Sequence, residues 1–360
     1  MKIAYVALHL EGIYLHGGVG VKIHNQIHFW KKFGHEAHLF LLSPDVTSFG
    51  DASIVHYSKQ GNLFIKENLR SRALVRLIQA VREYQPDVIY LRYGLYTWPL
   101  QRLAGIAPVC VEINTNDIEE YKYRGKMLYW INRLTRAQIL SRCAGFVPIS
   151  REIAGLPENI RYHKPTCVIA NGIDMDALVP LPPPDNPTPR LAFVGTAGIP
   201  WNGEDKLWPL ARRFPDLTID MIGFQAEAFP QDIPKNVVFH GRVKVEAVRD
   251  LLGLADVAIG TLALHRKKLN ENSPLKVRES LGFGVPTIIA YQDTDLDEQD
   301  FDFLLKLPNC EENVSDHAEA MRDFAYRMRG RRVDREVVRP LIDQGHKEQK
   351  RLEFFSSHLV

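Results

Sequence analysis

Short apolar runs alternate with longer amphipathic runs along this sequence, in two series separated by a proline-rich segment. The first series has an apolar run at 3–8, a glycine loop at 17–20, an amphipathic stretch at 21–33 and an apolar run at 37–42. Short apolar runs are typical of buried strands, and amphipathic stretches are typical of helices, so this is the order of a βαβ unit. The sequence therefore predicts an α/β fold of parallel sheets with helices on both faces.

The second series begins at Arg190 with RLAFVG and predicts a second domain of the same Rossmann-like type. A chain of 360 residues is also longer than one hydrophobic core usually supports. Between the series lies MDALVPLPPPDNPTPR, in which proline removes the backbone donors of regular structure. We predict a first domain at 1–170, a proline-rich linker at 171–188, a second domain at 189–342 and a C-terminal helix at 343–360.

The small formal net charge of +2 conceals an asymmetry between the two halves. Residues 1–170 carry 21 Lys or Arg and 13 Asp or Glu, a net charge of +8, and the remainder has a net charge of −6. This difference predicts that the first domain meets something anionic, such as a membrane surface or a phosphorylated lipid. Uneven solvated faces without any partner would give the same count.

Several classes of site and location are not indicated. The four cysteines lie far apart, the histidines form no HExxH set, and we expect no Asp-x-Asp pair at the end of a strand, so we predict no disulfide, no metal and no cofactor. No stretch approaches the ~18 apolar residues of a transmembrane helix. The first residues fit a strand better than a signal peptide. We expect a cytoplasmic protein that can bind peripherally at the inner face of a membrane.

The segment ENSPLKVRESLGFGVPTIIA contains two glutamates, Glu271 and Glu279, separated by seven residues. Ser273 and Pro274 can begin a helix, since a hydroxyl can cap free amides and proline suits the first turn. Glu271 is then expected in the preceding loop and Glu279 within the helix. A helix N-terminus binds anions, so the pattern fits a cradle for a diphosphate flanked by two carboxylates that can each bind a pair of sugar hydroxyls. A capped surface helix with two solvated glutamates would show the same pattern.

Taken with other segments in the same order, this motif resembles glycosyltransferase family 4. The other segments are HGGVG near the start, PISREI, VIANGID before the linker, and FVGTAGIPWNGEDKL at the start of the second domain. The resemblance implies a GT-B fold, in which two Rossmann-like domains face a cleft, with the C-terminal helix packing back towards the first domain. It also implies a metal-independent, retaining transfer of sugar from a nucleotide-diphosphate donor.

The resemblance also implies roles for particular residues. Glu279 is expected to bind the nucleotide ribose and Glu271 the transferred sugar. Gly17 and Gly18 would let the backbone of the first domain approach the diphosphate. The residues expected to contact the sugar and phosphate through their backbone are Asn272, Ser273, Pro274 and Leu275.

One departure from the family pattern concerns the cations that neutralise the diphosphate. Where the family usually places an arginine and a lysine, this sequence has Thr196, or Ala197, and Asn202. Some cation or set of dipoles must stabilise the leaving group. The replacements we consider are Lys276 and the basic run Arg266, Lys267 and Lys268. If none of them acts, the chain is a non-catalytic variant.

Acceptor-side residues are expected where VEINTNDIEEY follows a strand. Glu112, Asn114 and Asp117 would then lie at the carboxyl edge of the first sheet, where such folds bind ligands, and Asp117 is a further catalytic candidate. The basic, aromatic stretch that follows can lie at an anionic interface. It can equally pack on the sheet, and no nucleic-acid-binding motif accompanies it.

The family resemblance implies a retaining glycosyltransferase that acts on a glycan or lipid-linked acceptor in the synthesis of surface polysaccharide or glycoconjugate. Two other functions fit the same architecture, a sugar-nucleotide epimerase and a pseudoenzyme that binds nucleotide sugar without turnover. HGGVG also admits dinucleotide binding, or a simple turn, but its spacing does not match GxGxxG.

Overall fold

The computed structural model describes residues 1–15, 17–229 and 232–359, and the chain folds as two compact units. Unit 1 comprises Met1–Ala170 and Gln344–Val360, and unit 2 comprises Asn171–Asp343. His16, the first residue of HGGVG, lies outside the described residues.

Unit 1 is built on a parallel six-stranded sheet. Its strands are β1 (Lys2–Leu8), β2 (Glu36–Ser43), β3 (Ser53–His56), β4 (Val88–Arg92), β5 (Val109–Ile113) and β6 (Gly145–Pro148). Their order in the sheet is β3-β2-β1-β4-β5-β6, with every neighbouring pair parallel. This is the strand order of a dinucleotide-binding Rossmann sheet, in which the order reverses between the first and fourth strands.

The helices of unit 1 connect these strands and cover the sheet. They are α1 (Gly12–Leu15), α2 (Gly18–Lys32), α3 (Leu63–Tyr84), α4 (Asp117–Arg124), α5 (Lys126–Thr135), α6 (Ala137–Leu140), α7 (Arg151–Ala154) and α8 (Pro157–Ile160), with a 3-10 helix at Leu100–Gly105. On α2, the buried residues Ile23, Ile27 and Trp30 recur at the helical period and pack on Tyr5 of β1 and its neighbours. Asn62 caps α3 by accepting a hydrogen bond from the Ile65 amide at 3.0 Å.

Unit 2 repeats the same topology. Its main strands are β7 (Arg190–Val194), β8 (Thr218–Ile222), β9 (Val237–Gly241), β10 (Val257–Ile259), β12 (Thr287–Ile289) and β14 (Leu304–Lys306), and β11 (Glu271–Asn272) pairs separately with β13 (Gln292–Asp293). The order β14-β12-β10-β7-β8-β9 is again that of a Rossmann sheet, with parallel neighbours. Sequence reasoning placed Glu271 in a loop, whereas it lies in the short strand β11.

The helices of unit 2 include two regions that the sequence pattern did not resolve. They are α9 (Leu207–Arg213), α10 (Val245–Leu254), α11 (Leu275–Gly282), α12 (Asn313–Asp316), α13 (Ala318–Met328) and α14 (Arg335–Ile342), with 3-10 helices at Pro200–Asn202, Glu204–Lys206, Ala226–Ala228 and Leu264–Lys267. The 3-10 turn Glu204–Lys206 leads directly into α9. The three helices α12, α13 and α14 carried no prediction.

The last helix, α15 (Gln344–His358), is part of unit 1. Its Phe355 is fully buried and packs on Trp30 and Tyr90, with ring centroids 6.1 and 5.6 Å apart. The indole of Trp30 donates a hydrogen bond to the buried carboxylate of Glu348 at 2.6 Å. The end of the chain therefore completes the core of the unit formed by its beginning.

Candidate functional site

The site predicted in unit 2 centres on α11. This helix begins without a side-chain cap: its N-cap residue is Pro274, and the hydroxyl of Ser273 accepts instead from the backbone amide of Asn171 at 3.1 Å. The sequence suggested that the hydroxyl of Ser273 caps this helix, whereas the N-cap residue is Pro274, which provides no side-chain cap. A helix N-terminus of this kind can bind an anion.

The residues flanking this helix N-terminus differ in their surroundings. Glu271 is buried in β11, and Asn272 is half-buried beside it. Glu279 is half-buried on α11, and burial raises the pKa of its carboxyl group. Within the described ranges no side chain or backbone donor contacts the Glu279 carboxylate. The Glu279 carboxylate is thus open to a ligand. Lys276 lies three residues before Glu279, on the same side of the helix.

Lys276 reaches the carboxyl end of β7, beside the segment where the family's arginine is missing. Its ammonium donates to the Val194 carbonyl at 3.1 Å and lies 4.5 Å from the centre of the Phe193 ring. Burial lowers the pKa of Lys276 to about 8, and the negative charge of Glu204 partly opposes this effect. An ammonium has three donors, so two remain for a ligand.

Glu204 is a residue of this site that sequence reasoning missed. It lies in the 3-10 turn after Gly203 and is 8% exposed, and its Oε2 atom is buried without a hydrogen-bond partner. Burial raises the pKa of its carboxyl group, and the charge of Lys276 lowers it. Glu204 and Lys276 are therefore coupled groups at the same edge of the sheet.

The loop that carries the predicted Thr196 and Asn202 is closed by its own contacts. The buried Asn202 amide donates to the Thr196 carbonyl at 3.1 Å, while Thr196 itself is exposed. Gly195 tolerates no side chain, since a Cβ would lie 2.6 Å from the Phe224 ring. Asn202 therefore shapes the loop, and its amide is already engaged.

Two residues of the predicted basic run, Arg266 and Lys267, are engaged in contacts, and Lys268 is exposed. Arg266 forms a bidentate pair with Asp205 at 2.8 and 2.7 Å and also binds Glu311. The ammonium of Lys267 lies over the Trp201 ring, 4.2 Å from its centre. Both charges stabilise this loop, and Lys276 is the replacement that the geometry favours because its ammonium lies at the carboxyl end of β7.

A buried ion-pair network stabilises the segment that contains Glu271 and Glu279. This network was not predicted from the sequence. Arg278 is fully buried, donates to the Asn171 carbonyl at 3.0 Å and binds Asp293 at 2.5 and 2.7 Å and Asp295 at 2.9 Å. Asp293 and Asp295 form an Asp-x-Asp pair at the end of β13, contrary to expectation. Both carboxylates are bound to Arg278, so the pair holds α11 against the β11–β13 ribbon.

In unit 1 the predicted acceptor residues lie at the carboxyl edge of the sheet but are engaged in ion pairs. Glu112 is fully buried and contacts Lys22 at 2.8 Å and Arg92 at 3.0 Å, and Asn114 donates to it at 2.9 Å. These cations hold the pKa of Glu112 well below its usual range, against the effect of burial. Glu112 is therefore a structural anchor of this edge.

Asp117 is also committed. Its carboxylate binds Arg136 at 2.9 and 3.1 Å and accepts from the Asn132 amide at 2.6 Å, and only 3% of the residue is exposed. A catalytic or acceptor-binding role does not fit a carboxylate enclosed in this way.

One further residue near this edge of unit 1, His9, has an unusual backbone conformation and a half-buried, hydrogen-bonded ring. His9 follows β1 with a φ of 58° and contacts Thr97 at 2.7 Å and Tyr57 at 3.0 Å. Burial, with the nearby charges of Arg70 and Lys59, lowers the pKa of His9 to about 3, so the ring is neutral. No sequence motif pointed to His9.

The glycine loop is explained in part by close packing. Gly17 is the N-cap of α2 and provides no side-chain cap, and Gly18 is the first residue of the helix. At Gly20 a Cβ would lie 1.7 Å from the Leu15 carbonyl oxygen, so only glycine fits. Like α11, α2 begins with amides that no side chain caps.

Comparison with known proteins supports the resemblance for unit 1. Residues 16–177 match the model of Glycosyltransferase Family 4. No curated protein sequence matches the chain.

The solved structures that resemble this chain cover almost all of it. Sucrose-phosphate synthase from Thermosynechococcus elongatus has a TM-score of 0.67 at 13% identity, over 99% of this chain and 98% of that one. The lipopolysaccharide outer core galactosyltransferase WaaB has a TM-score of 0.66 at 13% identity, over 99% of both chains. Anabaena HepE, solved with UDP and glucose, has a TM-score of 0.63 at 14% identity, over 99% of this chain and 100% of that one. At such identities the likeness establishes the fold, which is the GT-B α/β fold.

Proposed function

We propose that this protein is a family 4 glycosyltransferase that transfers a sugar from a nucleotide-diphosphate donor to a glycan or lipid-linked acceptor, with retention of anomeric configuration. The observation that carries the proposal is the surroundings of α11. An uncapped helix N-terminus, the open carboxylate of Glu279 and the ammonium of Lys276 lie together in unit 2. These groups suit a diphosphate attached to a ribose.

In this proposal Glu279 binds the ribose hydroxyls and Glu271 the hydroxyls of the transferred sugar. The backbone from Asn272 to Leu275 contacts the sugar and the phosphates. The binding of UDP and glucose by HepE supports a donor of this class. We assign the donor mainly to unit 2 and the acceptor mainly to unit 1, where Gly17 and Gly18 begin α2 without a side-chain cap.

The proposed reaction is a front-face displacement. The acceptor hydroxyl oxygen bonds to the anomeric carbon on the face from which the nucleotide diphosphate leaves, and the bond from that carbon to the phosphate oxygen breaks. The leaving phosphate oxygen takes the proton of the acceptor hydroxyl. Lys276 and the amides of α11 stabilise the negative charge that develops on the diphosphate.

The acceptor is proposed to belong to surface polysaccharide or glycoconjugate synthesis. The similarity in fold to WaaB, which is named as a lipopolysaccharide outer core galactosyltransferase, supports this proposal. The basic first half of the chain supports a location at the inner face of a membrane, where a lipid-linked acceptor would be reached. None of the helices in the described ranges has the length and apolar character that a bilayer-spanning helix requires.

Release of nucleoside diphosphate tests the proposed function. The protein is incubated with UDP, GDP, ADP and dTDP sugars, with and without lipid-linked and oligosaccharide acceptors. Release that depends on an acceptor supports transfer, and the anomeric configuration of the product tests retention. Conversion of the donor sugar without acceptor would identify an epimerase, and binding without turnover would identify a pseudoenzyme. Glu279→Ala should abolish donor binding in calorimetry, and unchanged binding would exclude its ribose role.

A further inference from the structure

Four large apolar side chains stand exposed on the hairpin formed by α4 and α5. The exposed fractions are 57% for Tyr123, 57% for Met127, 58% for Trp130 and 74% for Leu134. On α5 the last three recur at the helical period and therefore lie on one face, and Tyr123 is in the last turn of α4 beside them. These four residues are called the α4–α5 stripe.

Polar contacts join α5 to the rest of unit 1 at its buried position. The one buried residue in α5 is Asn132, which donates to Asp117 at 2.6 Å and accepts from the Tyr93 hydroxyl at 3.1 Å. Just beyond the helix, Arg136 binds the same Asp117. Three other apolar residues of α5, Leu128, Tyr129 and Ile131, are half-buried, whereas the stripe residues of this helix are exposed. The helix thus presents apolar side chains to solvent as well as to unit 1.

The surroundings of the stripe are positively charged. No Asp or Glu occurs between residues 121 and 151. The exposed basic residues on and beside the hairpin are Lys122, Arg124, Lys126, Arg133 and Arg142. Lys122 and Arg124 approach Glu119 and Glu120 only at 3.8 Å, and within the described residues Lys126 and Arg133 have no ion-pair partner.

We propose that the α4–α5 stripe, with Lys126 and Arg133 beside it, docks unit 1 on a membrane surface that contains anionic lipid. Tryptophan and tyrosine favour the interface between headgroups and acyl chains, and basic side chains pair with the headgroups. A second copy of the chain fits less well, because a symmetric contact through the stripe would bring like charges together.

The position of the stripe suggests what membrane docking would achieve, and this part of the inference rests on the proposed function. The α4–α5 hairpin follows the carboxyl end of β5, the edge of the sheet that carries Glu112 and Asn114. Docking there brings the edge of unit 1 to which we assign the acceptor towards the bilayer. A lipid-linked acceptor is then reached while its lipid stays in the membrane.

Vesicle co-sedimentation of the full-length protein tests the proposal without donor or acceptor. Phosphatidylcholine vesicles are compared with vesicles in which phosphatidylglycerol replaces part of the phosphatidylcholine. We expect binding to the anionic vesicles, release by high salt, and little binding to phosphatidylcholine alone. Lys126→Glu combined with Arg133→Glu should weaken binding by at least about 25-fold, since each basic residue near an anionic surface contributes about fivefold.

Trp130→Ser combined with Leu134→Ser removes the apolar part and should reduce vesicle binding to background. Matched controls in unit 2 are Leu254→Ser, which removes a side chain that is 50% exposed, and Lys235→Glu with Arg242→Glu. The controls should bind vesicles like the parent protein. Circular dichroism and thermal melting establish that each variant is folded.

Two results would overturn the docking proposal. One is equal or absent binding to the two kinds of vesicle. The other is a concentration-dependent dimer in analytical ultracentrifugation that the Trp130→Ser, Leu134→Ser variant abolishes, which would assign the stripe to a second copy. UDP binding measured on the same samples separates this inference from the proposed function, because it reports on unit 2 whether or not vesicles bind.

Discussion

Replacing Lys276 with glutamine removes the cation that we assign to the donor diphosphate. In the structure its ammonium contacts one backbone carbonyl, that of Val194, and has two further donors. A hydrogen bond to a charged group contributes about 1.5–3 kcal/mol, so Lys276→Gln should weaken UDP binding by roughly 10- to 150-fold at pH 7. The upper bound on the lost binding free energy is the unscreened Coulomb energy of one pair of charges. This energy is about 4 kcal/mol at a separation of about 4 Å and an effective dielectric constant of about 20.

The depressed pKa of Lys276 gives this prediction a second, independent readout. With a pKa of about 8, the side chain is mostly charged at pH 7 and about one-tenth charged at pH 9. If only the charged form binds the diphosphate, the affinity of the parent protein for UDP should fall about tenfold between these pH values. Lys276→Arg keeps its charge over this range and should remove the pH dependence.

Glu204 provides an internal check on the cause. Its negative charge raises the pKa of Lys276, so Glu204→Gln should move the midpoint of the pH dependence below 8. Isothermal titration calorimetry with UDP, and with GDP in parallel, measures all four proteins, and Lys235→Gln serves as an exposed control. The reasoning is refuted if Lys276→Gln binds as tightly as the parent and the parent shows no loss of affinity between pH 7 and pH 9.

The remaining predictions concern stability as well as binding. Burial raises the pKa of Glu279, so the stability associated with its neutral form is present at low pH and is lost as pH rises through the folded-state pKa. Glu279→Gln should therefore raise the melting temperature at pH 7 while weakening UDP binding. A lower melting temperature would contradict this prediction. Arg278→Leu leaves the fully buried Asp293 unpaired and should destabilise unit 2 by about 3–5 kcal/mol in urea unfolding, whereas Arg212→Ala, which breaks an exposed pair, should cost less than about 1 kcal/mol. Phe355→Ala should destabilise unit 1 by about 3–5 kcal/mol in the same assay, and an effect near zero would show that α15 is not part of its core.

The fold could be predicted from the sequence because its signals are local. Apolar runs such as 3–8 and 37–42 coincide with β1 and β2 to within one residue at each end. Helix boundaries were harder to predict: α2 begins at Gly18, three residues before the expected Val21, because its first turn contains glycines with no apolar period. The region of α13 carried no prediction even though its buried residues recur at helical spacing.

The candidate site was predictable only where one segment carries it. Glu271, Lys276 and Glu279 lie within nine residues, and a motif can identify them together. Arg278 lies in the same segment, but its role depends on Asp293 and Asp295, which reach it through the pairing of β13 with β11. That pairing has no local signal.

The two predicted acceptor carboxylates show why position at a sheet edge does not by itself indicate function. Glu112 and Asp117 both lie at the predicted edge of the sheet, but cations from other elements pair with each of them. Glu112 pairs with Lys22 of α2 and Arg92 of β4, and Asp117 pairs with Arg136 in the turn after α5. Whether a carboxylate is open or paired is a property of tertiary contacts. The same is true of α5, whose helical period could be read from sequence, while the face turned inward is decided by Asn132 and its contact with Asp117.

Asp117 therefore links the two proposals, since its pairing affects both the acceptor edge and the α4–α5 stripe. Its carboxylate binds Asn132 and Arg136, which fix the rotation of α5, and that rotation presents Trp130 and Leu134 to solvent. Asp117→Asn would keep the hydrogen-bonding shape but remove the charge that pairs with the buried Arg136. If the stripe docks on a membrane, this variant should lose vesicle binding together with acceptor-dependent turnover while keeping UDP binding. Loss of turnover on a soluble acceptor with intact vesicle binding would instead return Asp117 to a direct role in the reaction.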